Sequence, residues 1–296
     1  MSGARDGRAH RELTATPVTG PVAEHGEGPV WHRSYRGVRW VDLLAGDVLE
    51  LDGDAVRRTH VGAVAAAFRP RVDGGTVLAD ERGFVLLDAD LRVERRLGDL
   101  WTGADVRMND GGCTPDGAFW CGSTAYDGRA GAGELYRLDP DLTVRRMLTG
   151  LTISNGFATA PDGRTVYHVD TPTRRVEAFD PVGDPAARRT VVRIPDGAGF
   201  PDGLTVDADG GIWVALWGGS AVHRYTPDGV LDTVVALPVT QVTACAFGGP
   251  DLDRLYVTTS ALGLDARARA AQPSAGALFV VEPGFRGRPV LEFGRS

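Results

Sequence analysis

The sequence predicts an all-β chain folded as a six-bladed β-propeller, with four antiparallel strands per blade around a central channel. Three observations carry that expectation. Glycine (40 residues) and proline (18) punctuate the chain so densely that few stretches could hold a helix. That is the pattern of short strands joined by tight turns. A unit running from a polar residue to a turn recurs at the spacing of propeller blades. No segment carries a 3.6-residue apolar stripe over several turns, which excludes a helical solenoid.

Four copies of the unit align on their first residue: "NDGGCTPDGAFWCGS" from Asn109, "NGFATAPDGRTVYHVD" from Asn155, "DGLTVDADGGIWVALW" from Asp202 and "QVTACAFGGPDLDRLYVTT" from Gln241. The turn glycine follows at one fixed offset, as Gly117, Gly163, Gly210 and Gly249. Two weaker copies precede them. Ala66 stands at the same offset from Gly74, and Glu27 slightly further ahead of its turn. The units begin roughly 40 to 47 residues apart. One or two more strands follow each turn, as in "GELYRLDPD" from Gly133 and "AVHRYTPDG" from Ala221, which makes the four-stranded blade. The segment "RELTATPV" from Arg11 is expected to supply a strand to the last blade and close the ring. The expected organisation is a disordered tail over residues 1–10 and one propeller domain over 11–296.

Equal offset from the turn means equal position in the blade, so the first residues of the units converge on the channel. That ring is Glu27, Ala66, Asn109, Asn155, Asp202 and Gln241. Asn155-Gly156 is a strong hairpin signal, yet the hairpin turn falls at Pro161 to Gly163, between strand-like runs at 157–160 and 165–169. Asn155 is therefore read as a channel residue. The glycine after it, like Gly28 and Gly203, is expected to let the backbone bend at the channel mouth. Buried carboxylates need partners. Oxygen donors without histidine or thiolate suit Mg²⁺, Ca²⁺ or Mn²⁺, with Zn²⁺ and Fe²⁺ left open. About three protein ligands leave positions for water and substrate, the condition for metal-assisted hydrolysis.

Composition removes other chemistries. All 32 basic residues are arginine, so no Schiff-base, phosphate-binding or general-base lysine exists. There is no GxSxG elbow and no HExxH helix, and the six histidines lack clustered ligand spacing. The three cysteines (Cys113, Cys121, Cys245) read as buried free thiols. Net charge is −7 with both signs well mixed, which argues against a nucleic-acid partner. With no long apolar run and no secretory h-region, a cytoplasmic monomer without membrane contact is expected. His168 and Asp170 are expected to be structural, and Trp31, Trp120, Trp213 and Trp217 to pack between blades.

The stretches "GEGPVWH", "RMNDGGCTPDGAFWCGS", "SNGFATAPDGRTVYHVDT", "FPDGLTVDADGGIWVALWGG" and "PVTQVTACAFGG" resemble the senescence-marker-protein/gluconolactonase family, the regucalcin-like lactonases. The likeness covers roughly residues 20 to 294. It implies a six-bladed propeller with one divalent cation on the channel axis, held by Glu27, Asn155 and Asp202. It further implies substrate contacts from Arg107 and Asn109; Arg107 enters through the resemblance alone. Where sugar-lactonase members carry an acidic residue after an "AGTMA"-like strand, this chain reads "CGSTAYDG", which places Tyr126 there. A carboxylate contact to sugar hydroxyls would then be lost or replaced by a phenol.

The expected activity is a metal-dependent lactonase that opens an aldonolactone or related small lactone to its hydroxy acid. The cation would polarise the ester carbonyl, and either Asp202 takes the proton from the attacking water or water held by the cation attacks directly. Two alternatives use the same scaffold: a calcium-dependent esterase or phosphotriesterase with a more apolar mouth, and a non-catalytic metal-binding propeller.

Overall fold

The computed structural model describes residues 10–294, and the expected tail over 1–10 lies, apart from His10, outside them. The strands form six sheets, the six blades of a propeller. Blades 1 to 4 run from Gly26–Trp31 to Ala55–His60, Ala67–Pro70 to Val93–Asp99, Val106–Cys113 to Val144–Leu151, and Ser154–Thr159 to Arg189–Arg193. Blade 5 runs from Phe200–Val206 to Leu231–Ala236, and blade 6 from Val242–Gly248 to Phe279–Val281. The four successive strands of each blade are antiparallel to their neighbours, and the first strand of each lies innermost and packs beside the first strands of the adjacent blades.

The fixed offset has a physical origin. Gly74, Gly117, Gly163, Gly210 and Gly249 all sit at positive φ, between 68° and 90°, in the turn that ends the inner strand. Only glycine adopts that conformation without strain. Blade 1 departs: its Gly37 is not left-handed, and a Cβ there would lie 2.2 Å from the Leu51 carbonyl oxygen. A different turn explains why that copy of the unit is weak.

The ring closes as the "RELTATPV" segment suggested, but the segment is divided between two blades. Thr16–Pro17 pairs antiparallel with Phe279 and Val280 and completes blade 6. Arg11–Thr14 instead pairs parallel with Thr233–Ala236 as a fifth strand of blade 5. Blade 6 draws only three strands from the C-terminal part, so it needs an outer strand from elsewhere. The far end of the channel is crossed by the C-terminal segment, where Phe293 exchanges backbone bonds with Pro70 and Val72. Arg288 to Leu291 cover a cavity of about 120 Å³ at that end.

The core lies between blades rather than in one centre. Separate buried clusters join blades 3 and 4 around Trp120, blades 4 and 5 around Val214, and blades 5 and 6 around Trp213. Trp120 and Trp213 thus pack between blades. Trp31 packs against the cluster that joins blades 1 and 6 and also borders the cavity at the far end of the channel, and Trp217 stands edge-on to His25 at the near end. All three cysteines are free and buried, and burial pushes their thiols up. Among the described residues no helix is long and apolar enough to cross a membrane.

Candidate active site

Five of the six inner strands break register at the ring residue or within two residues after it. In blade 1, Gly28 and Pro29 stand against one residue of the next strand; in blade 3, Asn109 and Asp110 do so; in blade 5, Asp202 and Gly203. Gly156 is the extra residue in blade 4 and Thr243 in blade 6. A bulge interrupts the alternation of side chains and re-aims them. Blade 2 pairs in register from Ala67 to Pro70, and its ring residue, Ala66, is the one without a polar group.

The glycines beside the ring residues do two different things. Gly28 takes φ +50°, the bend expected of it. Gly156 and Gly203 do not have positive φ; they let inner strands approach closely. A Cβ at Gly156 would lie 2.6 Å from the Asp202 carbonyl oxygen, and one at Gly203 2.5 Å from the Ala244 Cβ. Asn155 itself lies within the strand Ser154–Thr159, and the hairpin turn falls at Pro161 to Gly163.

Glu27, Asn109, Asn155 and Asp202 are all buried, each at most 7% exposed, around the channel. Burial, then the neighbouring charges of Asp202 and Asp110, pushes the Glu27 carboxyl well above its ordinary range. Burial and Asp110 do the same to Asp202, opposed by the Asn155 amide, the Gly203 N–H and Arg107. One oxygen of Asp202, Oδ1, is buried with no hydrogen-bond partner. The Asn155 amide is turned by two bonds: its Nδ2 donates to Thr171 Oγ1 at 3.1 Å and its Oδ1 accepts from Gly156 N at 3.2 Å.

This donor set fits a hard divalent cation. Two carboxylates raised by burial and neighbouring charge, one with an orphaned oxygen, stand against the single guanidinium of Arg107, and the donors are oxygens. Among the described residues no three His, Cys, Asp or Glu side chains stand close enough to hold a metal. The Asn155 amide stands beside Asp202 and supports its charge.

Arg107 and Asn109 stand together. Arg107 Nη1 donates to Asn109 Oδ1 at 2.7 Å, and Asn109 Nδ2 donates to the Ser154 carbonyl at 2.9 Å. Burial lowers the Arg107 pKa, while Tyr126, Glu27 and Asp202 support its charge. Its Nε–H is buried and unpartnered. Tyr126 lies at the mouth, 47% exposed, with its ring 5.8 Å from the Arg107 guanidinium. Its hydroxyl donates to Glu81 Oε1 at 2.8 Å. Gln241 gives its Nε2 to the Leu262 carbonyl and leaves a buried Oε1 without a partner.

Sequence reasoning missed two residues here. Asp110 follows Asn109, so strand alternation assigns it to the opposite face; the bulge brings its charge to bear on Glu27 and Asp202. Its own carboxyl is raised by burial against the opposing effects of Arg69 and the Gly111 N–H. His25 precedes Glu27 by two, the spacing that puts both on one strand face. It is buried, bonded through Nδ1 to Ser260 Oγ at 2.9 Å, and burial with the Arg107 charge lowers its pKa to about 3. That spacing was a usable signal.

His168 and Asp170 are occupied within the blade. Asp170 accepts the backbone N–H groups of Thr152 and Ile153, and His168 Nε2 meets Ser154 Oγ at 2.8 Å. Burial, then the Arg188 charge, lowers the His168 pKa from 6.5 to about 3. Between those values the unfolded chain binds the extra proton, so the stabilisation present above about pH 6.5 is lost as pH falls toward 3. His168→Gln should remove about 1.4 kcal/mol per pH unit from the slope of unfolding free energy between about pH 6 and 4. Equal slopes for variant and parent in urea unfolding would rule this out.

Buried oxygen donors and an arginine–asparagine pair thus converge at the mouth of a six-bladed propeller. The model of the SMP-30/gluconolactonase/LRE-like region matches residues 25–261, and the chain belongs to that family. It is similar to the pentonolactonase XacC of Haloferax volcanii, 35% identical over 94% of this chain and 97% of that one. It is also similar to the L-arabinolactonase of Azospirillum brasilense, 36% identical over 90% and 91% of the two chains. Among solved structures, the calcium-binding regucalcin of Agrobacterium tumefaciens superposes with a TM-score of 0.89 at 27% identity, over 97% of this chain and all of that one.

Proposed function

We propose that this chain is a divalent-cation-dependent lactonase that opens an aldonolactone, or a related small lactone, to its hydroxy acid. The observation that carries the reading is Asp202: a buried carboxylate beside Glu27 and Asn155, with one oxygen left without a partner. The relatives named for opening sugar lactones, similar over nearly the whole chain, support the substrate class. The calcium-binding relative supports a divalent cation. The mouth is polar, lined by Arg107, Asn109 and Tyr126, which suits a sugar ring better than an aryl ester.

Glu27, Asn155 and Asp202 would hold the cation, which supplies a Lewis acid for the ester carbonyl and the oxyanion that develops there. Arg107 and Asn109 orient the ring, with the free Arg107 Nε–H as an available donor. Asp202 accepts a proton from water as its oxygen bonds to the carbonyl carbon. The C–O bond to the ring oxygen then breaks, and Asp202 returns the proton to that oxygen. The product is a hydroxy acid with one new hydroxyl, and its carboxyl then releases the second proton of the water to solvent.

The test is hydrolysis of pentono- and hexonolactones by metal-stripped protein, with Ca²⁺, Zn²⁺, Mn²⁺, Mg²⁺ or Fe²⁺ restored singly and spontaneous opening subtracted. Cation-dependent acceleration on sugar lactones is the expected result. Acceleration on aryl esters alone would move the reading to an esterase. No acceleration of either, by folded and cation-loaded protein, would leave a binding propeller.

A further inference from the structure

Blade 2 gives the ring only Ala66, yet it reaches the mouth by another route. Glu81 lies in the turn between the strands Thr76–Ala79 and Gly83–Leu87. That turn is held from inside: Asp80 Oδ1 accepts the N–H groups of Arg82 at 3.2 Å and Gly83 at 3.0 Å. It is also held from outside, because the Glu81 carbonyl accepts the Met108 N–H at 2.9 Å, one residue beyond Arg107. The Glu81 side chain is thereby fixed over the entrance to blade 3, where its Oε1 accepts the Tyr126 hydroxyl at 2.8 Å.

We propose that Glu81 and Tyr126 form a specificity dyad that selects polyhydroxylated rings over rings without hydroxyls. This rests on the lactonase reading and names the substrate feature that the mouth recognises.

A phenol that gives its proton to a carboxylate keeps its own oxygen lone pairs available. The carboxylate keeps its second oxygen, Oε2, whose nearest arginine nitrogen, Arg82 Nε, is 3.9 Å away. Arg82 is itself paired with Asp99 at 3.1 Å. The dyad therefore offers acceptors at the mouth, and Arg107, whose guanidinium lies 5.8 Å from the Tyr126 ring, offers donors beside them. A sugar hydroxyl both donates and accepts, so a polyol ring can engage both. A ring without hydroxyls leaves the dyad unused.

The experiment compares parent, Glu81→Gln, Tyr126→Phe and the double variant. The readout is the ratio of kcat/KM for a pentono-1,4-lactone to that for γ-butyrolactone, the same ring without hydroxyls. Each single variant should lower that ratio about 10- to 100-fold, mainly through KM, as expected for lost hydrogen bonds to a charged acceptor. The double variant should fall no further than the single ones. Calorimetric binding of 1,4-anhydroribitol, the ring without its carbonyl, should weaken by a similar factor, and it reads the dyad without turnover.

Equal loss on both lactones would mean a structural role and overturn the proposal. An unchanged ratio in a parent that opens lactones would overturn the dyad and leave the lactonase reading standing. If the parent opens no lactone, that reading fails. Anhydroribitol binding that depends on Glu81 would still support the dyad, and absence of binding would remove it as well.

Discussion

Asp202→Asn should lower kcat for lactone opening by about three orders of magnitude at saturating cation, the scale of losing a general base. The substitution is nearly isosteric, so the strand Phe200–Val206 and its bulge at Asp202 should persist. An amide keeps one oxygen for a cation but loses the charge and the proton-accepting lone pair. Two quantities must therefore be separated. Cation affinity, measured calorimetrically, should weaken because one of two buried carboxylates has gone. The kcat measured after the cation is saturated should remain low because the amide that replaces the carboxylate cannot take the proton from water. Full kcat at saturating cation would remove Asp202 as the base and leave it a ligand alone. Unchanged affinity with low kcat would do the reverse.

The blade repeat was legible because a backbone requirement fixes it. A left-handed glycine ends the inner strand in five blades, so counting back from Gly74, Gly117, Gly163, Gly210 or Gly249 finds the same ring position. That one constraint was enough to pick out Asn109, Asn155 and Asp202 as buried channel residues before any contact was known, whereas Glu27, further ahead of a different turn, was placed only by analogy with them. Arg107 was not legible this way. It lies two residues before Asn109, outside the counted position, and only the family resemblance supplied it.

What stayed hidden depends on departures from ideal strands and on contacts between blades. Alternation assigns Asp110 to the wrong side, because two residues of the inner strand oppose the single Gly122 there. Gly156 and Gly203 read as bending glycines, whereas the limit on them is the neighbouring strand, a distance no local pattern encodes. Tyr126 looked like the loss of a carboxylate. The carboxylate is present, but it comes from Glu81, 45 residues earlier and one blade away. The N-terminal segment was assigned to one blade because its two strands are separated by a single residue, Ala15, at which the chain passes from blade 5 to blade 6.

Asp207→Ala should lower the unfolding free energy by about 3 to 5 kcal/mol, the cost of stranding a buried charge. Asp207 is fully buried, and each of its oxygens accepts two bonds. Oδ1 takes the Gly211 N–H at 2.7 Å and the Asp209 N–H at 3.0 Å; Oδ2 takes Trp213 Nε1 at 2.9 Å and Arg224 Nε at 2.7 Å. Arg224 is itself only 5% exposed, lies 3.8 Å from the Phe285 ring, and would keep Asp232 as its remaining acid partner. Removing the Asp207 carboxylate leaves four donors short of an acceptor in the closed interior of blade 5. Urea unfolding measures the loss. The double variant Asp207→Ala/Arg224→Met should recover more than half of it, because the stranded guanidinium causes most of the cost. A loss below about 1 kcal/mol would show that water or relaxation satisfies these groups. The effect should also reach the site. Asp207 directly follows the strand that carries Asp202, so loosening its turn loosens the bulge that aims that carboxylate into the channel. Cation affinity should therefore fall in Asp207→Ala and return in the double variant, since both depend on how firmly the inner strand of blade 5 is held.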